Sequence, residues 1–172
     1  AFDMPPHSQM ALLQMLLVRA LVSCFWKKPY KHSLVRWGTR LHDKFLLEHY
    51  VKEDLKSVVE YLNDEGYEFK LDWFDPFFEF RFPLYGMTSI QGMPVEIRSA
   101  IEPWNVLGEE SGSQGTSRYV DSSVERLQIK IANFNEERYV VSCNGVQVPL
   151  SKTDIEGEYV SGVRYKAWQP WS

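Results

Sequence analysis

Residues 66–84 read GYEFKLDWFDPFFEFRFPL, and the way they divide the chain decides the fold. Before Gly66 the sequence is poor in Gly and rich in long apolar runs, which predicts helices. From Phe78 onward, Phe78, Phe80, Phe82 and Leu84 alternate with Glu79, Arg81 and Pro83. That period of two predicts a half-buried strand. Between them, LDWFDP suits one helical turn with Asp72 as its cap. The expected class is α+β: N-terminal helices over residues 1–66, then an antiparallel β-sandwich or barrel-like module over 67–172.

Upstream, the first helix is expected from Ser8 to Trp26, with Ser8 as N-cap behind Pro5-Pro6. Its body, MALLQMLLVRALVSCFW, is apolar almost all round, with Gln9, Arg19, Ser23 and Lys27 on one narrow stripe. Such a helix is normally buried inside something larger. Gln14 and Arg19 interrupt a run already short for a membrane span. A signal peptide fits poorly, since there is no basic leader and Lys27-Lys28 stands where a small-residue cleavage site belongs. A second helical region is expected over Thr39–Glu65, breaking near Val51. In it Leu55, Val58, Val59 and Leu62 form one face, and Gly66 is the residue past the end.

Downstream, Val95–Ile101 is expected to pair across the Gly92-Met93-Pro94 turn. Leu127, Ile129 and Ile131 alternate with Arg126, Gln128 and Lys130 in another strand. Arg138–Cys143 and Val146–Leu150 flank Asn144-Gly145, a type I′ hairpin signal. Val163–Trp168 supplies the last strand, and residues 108–117, GEESGSQGTS, read as a flexible loop.

The 172 residues carry a net charge of −4, which does not suit a protein that coats nucleic acid. The charge is uneven. Residues 1–66 hold nine Lys/Arg against eight Asp/Glu, or +1, while 67–172 hold ten against fifteen, or −5. Cys24 and Cys143 are too few for a disulfide framework and read as structural.

The most suggestive chemistry lies in Trp26–Asp43, where Lys27, Lys28, Lys31, Arg36 and Arg40 interleave with Trp26, Tyr30 and Trp37. Cations beside aromatic faces suit a phosphate or other anion; the plainer reading is a wet connection between helices. Arg36, Trp37, Arg40, His42 and Asp43 are the candidate anion or substrate ligands, with His42 and Asp43 orienting the arginines. His42 and His49 stand seven apart on a helix, about 10 Å of rise, so no metal site is expected. Glu102, Glu109 and Glu110 form a weaker acidic group, able to bind a cation or serve as acid and base, or simply solvated. Phe78, Phe80 and Phe82 are expected in the core, and Trp168 and Trp171 are the aromatics to check for an exposed glycan or peptide platform.

The strings AFDMPPHSQMALLQMLLVRAL, LVRWGTRLHDKFLLEHYV, IEPWNVLGEE, RYVDSSVERLQIKI, CNGVQVPL and GVRYKAWQPWS resemble successive blocks of a bacterial family of large amidoligases. Members of that family often begin with a transglutaminase-like region, and their core is similar to glutamine synthetase. The resemblance implies an internal piece near the C-terminal end of such a protein. Residues 1–66 would be the tail of the core plus connecting helices, and 67–172 a β module. It implies ATP-dependent coupling of a carboxylate to an amine, with ATP and Mg held elsewhere, so no cofactor is expected on this chain. The implied partners are the rest of the parent polypeptide and a peptide or amino-acid-like substrate, in the bacterial cytoplasm, with neither nucleic acid nor membrane. An accessory module that is inactive alone is therefore expected. A peptide- or glycan-binding sandwich is the alternative.

Overall fold

Helix α1 (Ser8–Lys27) opens the structure, a computed structural model describing residues 4–31, 33–38, 40–104, 106–112 and 115–167, with backbone alone at 41 and 42. Its cap is His7, not Ser8: His7 is extended, and its Nδ1 accepts the Gln9 N–H at 3.2 Å. A ring nitrogen thus takes one of the orphan first-turn donors, and Ser8 becomes the first helical residue.

The next helical region is split into α2 (Arg40–Asp43) and α3 (Glu48–Asp64). The break falls at 44–47 instead of near Val51. Leu46 takes a left-handed φ of 61°, and the Val51 N–H already reaches the Leu47 carbonyl inside α3. At its other end α3 closes as read from sequence. Gly66, with φ 89°, donates to Asn63 O at 3.0 Å and Tyr67 to Leu62 O at 2.9 Å, the paired bonds of a Schellman motif.

Residues 71–82 correct the expected strand. Leu71–Phe74 forms a 3-10 turn entered from Lys70, not capped by Asp72, and Asp75–Arg81 forms helix α4. Pro76 sits in the first turn of α4, where its missing N–H costs nothing. Phe74, Phe78 and Phe82 recur every four residues and are buried, while Phe80 is 48% exposed. A strand would have turned Phe78, Phe80 and Phe82 to one side. Over so few residues the alternation of Phe with charge fits both periods, and Pro76 was the signal that separates them.

Phe74, Phe78 and Phe82 join Ala20, Cys24, Val59, Leu62 and Phe69 in one helical core, so this core continues past Gly66. Much of the aromatic load is spent here. Burial of a phenylalanine in such a cluster is worth about 1.5–3 kcal/mol relative to exposure.

The strands are β1 (Leu84–Ile90), β2 (Met93–Ala100), β3 (Val106–Gly112), β4 (Gly115–Val120), β5 (Val124–Ile131), β6 (Ser142–Cys143), β7 (Val146–Gln147), β8 (Ser151–Lys152) and β9 (Tyr159–Lys166). An antiparallel sheet runs in the order β1-β2-β5-β9-β8 and does not close into a barrel. Gln91 (φ 52°) and Gly92 (φ 81°) turn β1 into β2, and Asn144 (φ 50°) and Gly145 (φ 80°) turn β6 into β7 as expected. Residues 106–120, expected to hold the flexible loop, form instead a two-stranded ribbon of β3 and β4, in which Glu109 lies opposite Arg118.

One sheet face is apolar. Met93, Ile131 and Tyr159 pack with Phe134, flanked by Val95, Ile129, Tyr139, Val141 and Leu150. The opposite face carries Arg98, Arg126 and Gln128 and meets the helical part.

The helical register of α4 sets an expected outcome. Phe78→Ala should cost about 3–5 kcal/mol by urea denaturation, whereas Phe80→Ala should cost about 0.5 kcal/mol. Equal losses at the two positions would return residues 77–82 to a strand-like packing.

Candidate functional site

The polar face of the sheet is built from alternate residues of three strands. Register places Arg98 opposite Gln128, Arg126 opposite Ala100 on one side and Arg164 on the other, and Gln128 opposite Gly162. Arg126 and Gln128 are among the most buried side chains, at 1% and 0% exposure. Buried polar groups of this size must be hydrogen-bonded, and these reach across to the helical backbone.

Arg126 Nη1 donates to Phe45 O at 2.6 Å. Gln128 Oε1 accepts the His49 N–H at 2.9 Å, taking a first-turn donor of α3, and its Nε2 reaches Glu48 Oε2 at 3.3 Å. Further along the face, Arg98 Nη1 donates to Phe82 O at 3.2 Å and to Glu79 at 2.8 Å, with Glu96 accepting from Nε. The Ile101 N–H donates to Leu46 O at 3.2 Å. The corner at residues 45–49 is therefore held through its backbone atoms, with the fully buried Leu47 side chain packed beside Ala100 and Val160.

Glu102 is the counter-ion of this arrangement. Its carboxylate accepts from Arg164 Nε at 2.8 Å and lies 4.0 Å from Arg126 Nε, with only 6% of the side chain exposed. Burial pushes the Arg126 guanidinium below its ordinary value and Arg164 adds to that, while Glu102 and Asp43 support its charge. Gly162 supplies the space: a Cβ there would lie 2.6 Å from Arg126 Nε and 2.7 Å from Nη2.

The candidate residues fall into three places. Arg36, Arg40 and Asp43 are exposed on the connection between α1 and α3, and the half-buried Trp37 lies 5.1 Å from the Phe45 ring, at 59° to it. The backbone of His42 belongs to α2, but its side chain lies outside the described residues, as do Trp168 and Trp171. Glu109 pairs with Arg118 at 2.8 Å on the exposed ribbon, and Glu110 accepts from Tyr119 at 2.8 Å. Asp43 and Glu102, read as members of separate groups, both act on Arg126.

Arg126, Gln128, Arg164 and His49 were missed. On paper Arg126 and Gln128 are the wet positions of an amphipathic strand. The available signal was Gly162, a glycine inside a strand, which marks close approach of another group.

Among the described residues no three His, Cys, Asp or Glu side chains converge to hold a metal. The acidic groups here already serve Arg98, Arg118, Arg126 and Arg164, so this donor set does not fit a magnesium site. An apolar cavity of about 320 Å³ lies between α1, α3 and α4, lined by Leu17, Val51, Leu55, Phe74, Phe77 and Phe78 among others. None of the described residues of 36–43 lines it. The described tryptophans Trp26, Trp37, Trp73 and Trp104 stand on separate elements and connections.

Two outcomes follow from this geometry. Gly162→Ala should destabilise the chain by about 1–3 kcal/mol, because the buried Arg126 cannot swing aside without releasing Phe45 O; Arg126→Ala should cost about 3–5 kcal/mol by emptying a buried site, unpairing the Phe45 carbonyl and leaving Glu102 with Arg164 alone. Both are read from denaturation midpoints.

His49 gives the second. Burial holds its imidazole below the ordinary 6.5, Lys130 adds to this, and Glu53, Glu158 and Glu48 oppose it. The folded state thus prefers the neutral ring, and the unfolded chain takes the proton first as pH falls through about 6.5. Stability should decline below that pH, and His49→Gln should flatten the decline in urea midpoints between pH 7.5 and pH 5.5. An unchanged slope would show that His49 is not responsible.

Comparison with known proteins adds one match. A family model described as "Putative amidoligase enzyme (DUF2126)" covers residues 1–172. No curated protein and no solved structure matches the chain. With its whole length inside that model, the chain belongs to this amidoligase family.

Proposed function

We propose that this chain is an accessory part of an ATP-dependent carboxylate–amine ligase, inactive by itself, that packs on a glutamine-synthetase-like core of its parent polypeptide. The transglutaminase-like region and the bacterial cytoplasm belong to this reading, as does the division into a helical portion and a β module, with the boundary expected at Gly66 moved to the end of the helical core at Phe82.

The observation that supports it most is the second apolar stripe of α1. Met10, Leu13, Leu17, Ala20, Leu21 and Cys24, spaced by three and four, face inward. Leu12, Met15, Leu16, Val22 and Trp26 lie on the other side at 70%, 57%, 52%, 61% and 88% exposure. An uncovered face of this extent favours burial against another surface. The same helix is long and apolar enough to cross a membrane by length and composition. Arg19 sits mid-stripe, where a bilayer centre would cost about 2.5–3.5 kcal/mol, so a protein surface is favoured.

On this reading Arg36 and Arg40, on the connection that leads into the corner the sheet holds at residues 45–49, contact an anionic group of substrate or nucleotide. His42 and Asp43 orient them, and Trp37, seated on Phe45, sets the spacing. A peptide or amino-acid-like carboxylate suits such a pair. ATP and magnesium, which supply the activation step, would be held by other parts of the parent.

The test compares ATP-dependent ligation by the full-length protein and by this chain. The chain alone should be inactive, and turnover by it would overturn the proposal. In the full-length protein Arg36→Ala and Arg40→Ala should each raise KM for the anionic substrate by about 10-fold or more. An unchanged KM would remove both residues from the pocket.

A further inference from the structure

The two edges of the five-stranded sheet differ. The β8 edge has only Ser151 and Lys152, and Lys152 is engaged with Glu136 at 2.7 Å. A short, charged edge resists the addition of another strand. The β1 edge, LYGMTSI, is seven residues long, holds neither charge nor proline, and is exposed at every position. Leu84, Tyr85, Met87 and Ile90 are 41–65% exposed. The register irregularity at Leu84/Gly86 disturbs only its start, leaving Gly86–Ile90 regular.

The turn fixes which backbone groups are open. In a two-residue hairpin the closing pair, Ile90 and Met93, exchanges hydrogen bonds, and every second pair does the same. Thr88 and Gly86 therefore point at β2. The opposite parity holds on the far side of β2, where Pro94 O accepts the Ala132 N–H at 3.0 Å. Met87 and Ser89 thus aim their N–H and C=O groups outward from the sheet.

We propose that this edge joins two copies of the chain, β1 against β1, antiparallel about a two-fold axis. An antiparallel strand pair is self-complementary: Met87 and Ser89 of one copy meet the same residues of the other with donors facing acceptors. A neutral strand brings no like charges together across the axis. A two-fold pairing uses the same edge of both copies, so the assembly closes as a dimer, while β8 and the charged Arg164 and Lys166 of β9 disfavour addition on the far side. This edge is separate from the exposed stripe of α1, so the dimer stands whether or not α1 docks elsewhere.

Sedimentation equilibrium of the 172-residue chain at about 100 µM decides it. The expected mass is twice 20.2 kDa. Ser89→Pro removes an outward donor while leaving the β1–β2 ladder intact, and should return the mass to 20.2 kDa with an unchanged urea midpoint. Met87→Lys keeps every backbone donor and sets two charges face to face; it should also give the monomer, and it carries the decision if Ser89→Pro fails to fold. Leu16→Glu on α1 should leave the dimer intact. A monomeric parent chain, a dimer that survives both β1 changes, or a dimer lost on Leu16→Glu would each overturn the proposal.

Discussion

The bond from Arg126 to the Phe45 carbonyl is the constraint on which the relation of sheet to helices depends. It places a guanidinium at the interface between the two, where burying it without acceptors would cost several kcal/mol. Everything around it answers that cost. Glu102 brings the opposite charge, Gly162 withholds a side chain, and Phe45 offers a carbonyl freed by the left-handed turn at Leu46. Gln128 and, opposite it, Arg98 repeat the device further along the face, each tied to backbone of the helical part. Helices and sheet are joined here by directed polar bonds, with Leu47, Ala100 and Val160 as the buried apolar patch beside them.

Such an interface fixes position more than it adds stability, because a buried ion pair roughly balances its own desolvation. That suits a segment whose side chains work outward. Arg36, Arg40 and Asp43 are exposed and charged, so no core of their own orders them. The corner that follows them is pinned through its carbonyls and amide. The family membership gives this arrangement its context in an amidoligase, and the uncovered side of α1 agrees with a chain that functions against a larger body.

Much of the fold was legible. The helical start, the Leu55–Val58–Val59–Leu62 face, the Gly66 terminus and the Asn144-Gly145 turn each rest on local geometry that one residue type dictates. The failures share another cause. Phe78, Phe80 and Phe82 satisfy two periods over a short window, and tertiary packing chose the helical one. Residues 108–117 look like a loop by composition, yet the Glu109–Arg118 pair and the backbone ladder make 108–112 and 115–117 strand. The site was legible only in its exposed portion. Arg36 and Arg40 announce themselves as a charge run, but Arg126 and Gln128 occupy the wet positions of their strand until a second layer covers them. Nothing in local pattern reports that layer.

The reach of these bonds along the chain also orders events during synthesis. Phe45 and Arg126 are 81 residues apart, and Glu102 and Arg164 are 62 apart. Helices α1 and α3 leave the ribosome before the sheet and can form on local contacts. The Arg36–Asp43 segment gains its fixed support only once β9, the final strand, has been made and Gly162 has received the Arg126 side chain. At roughly 5–20 residues per second that interval lasts several seconds, with the uncovered stripe of α1 exposed throughout. The last of the described strands is thus the one that locks a much earlier part of this chain in place.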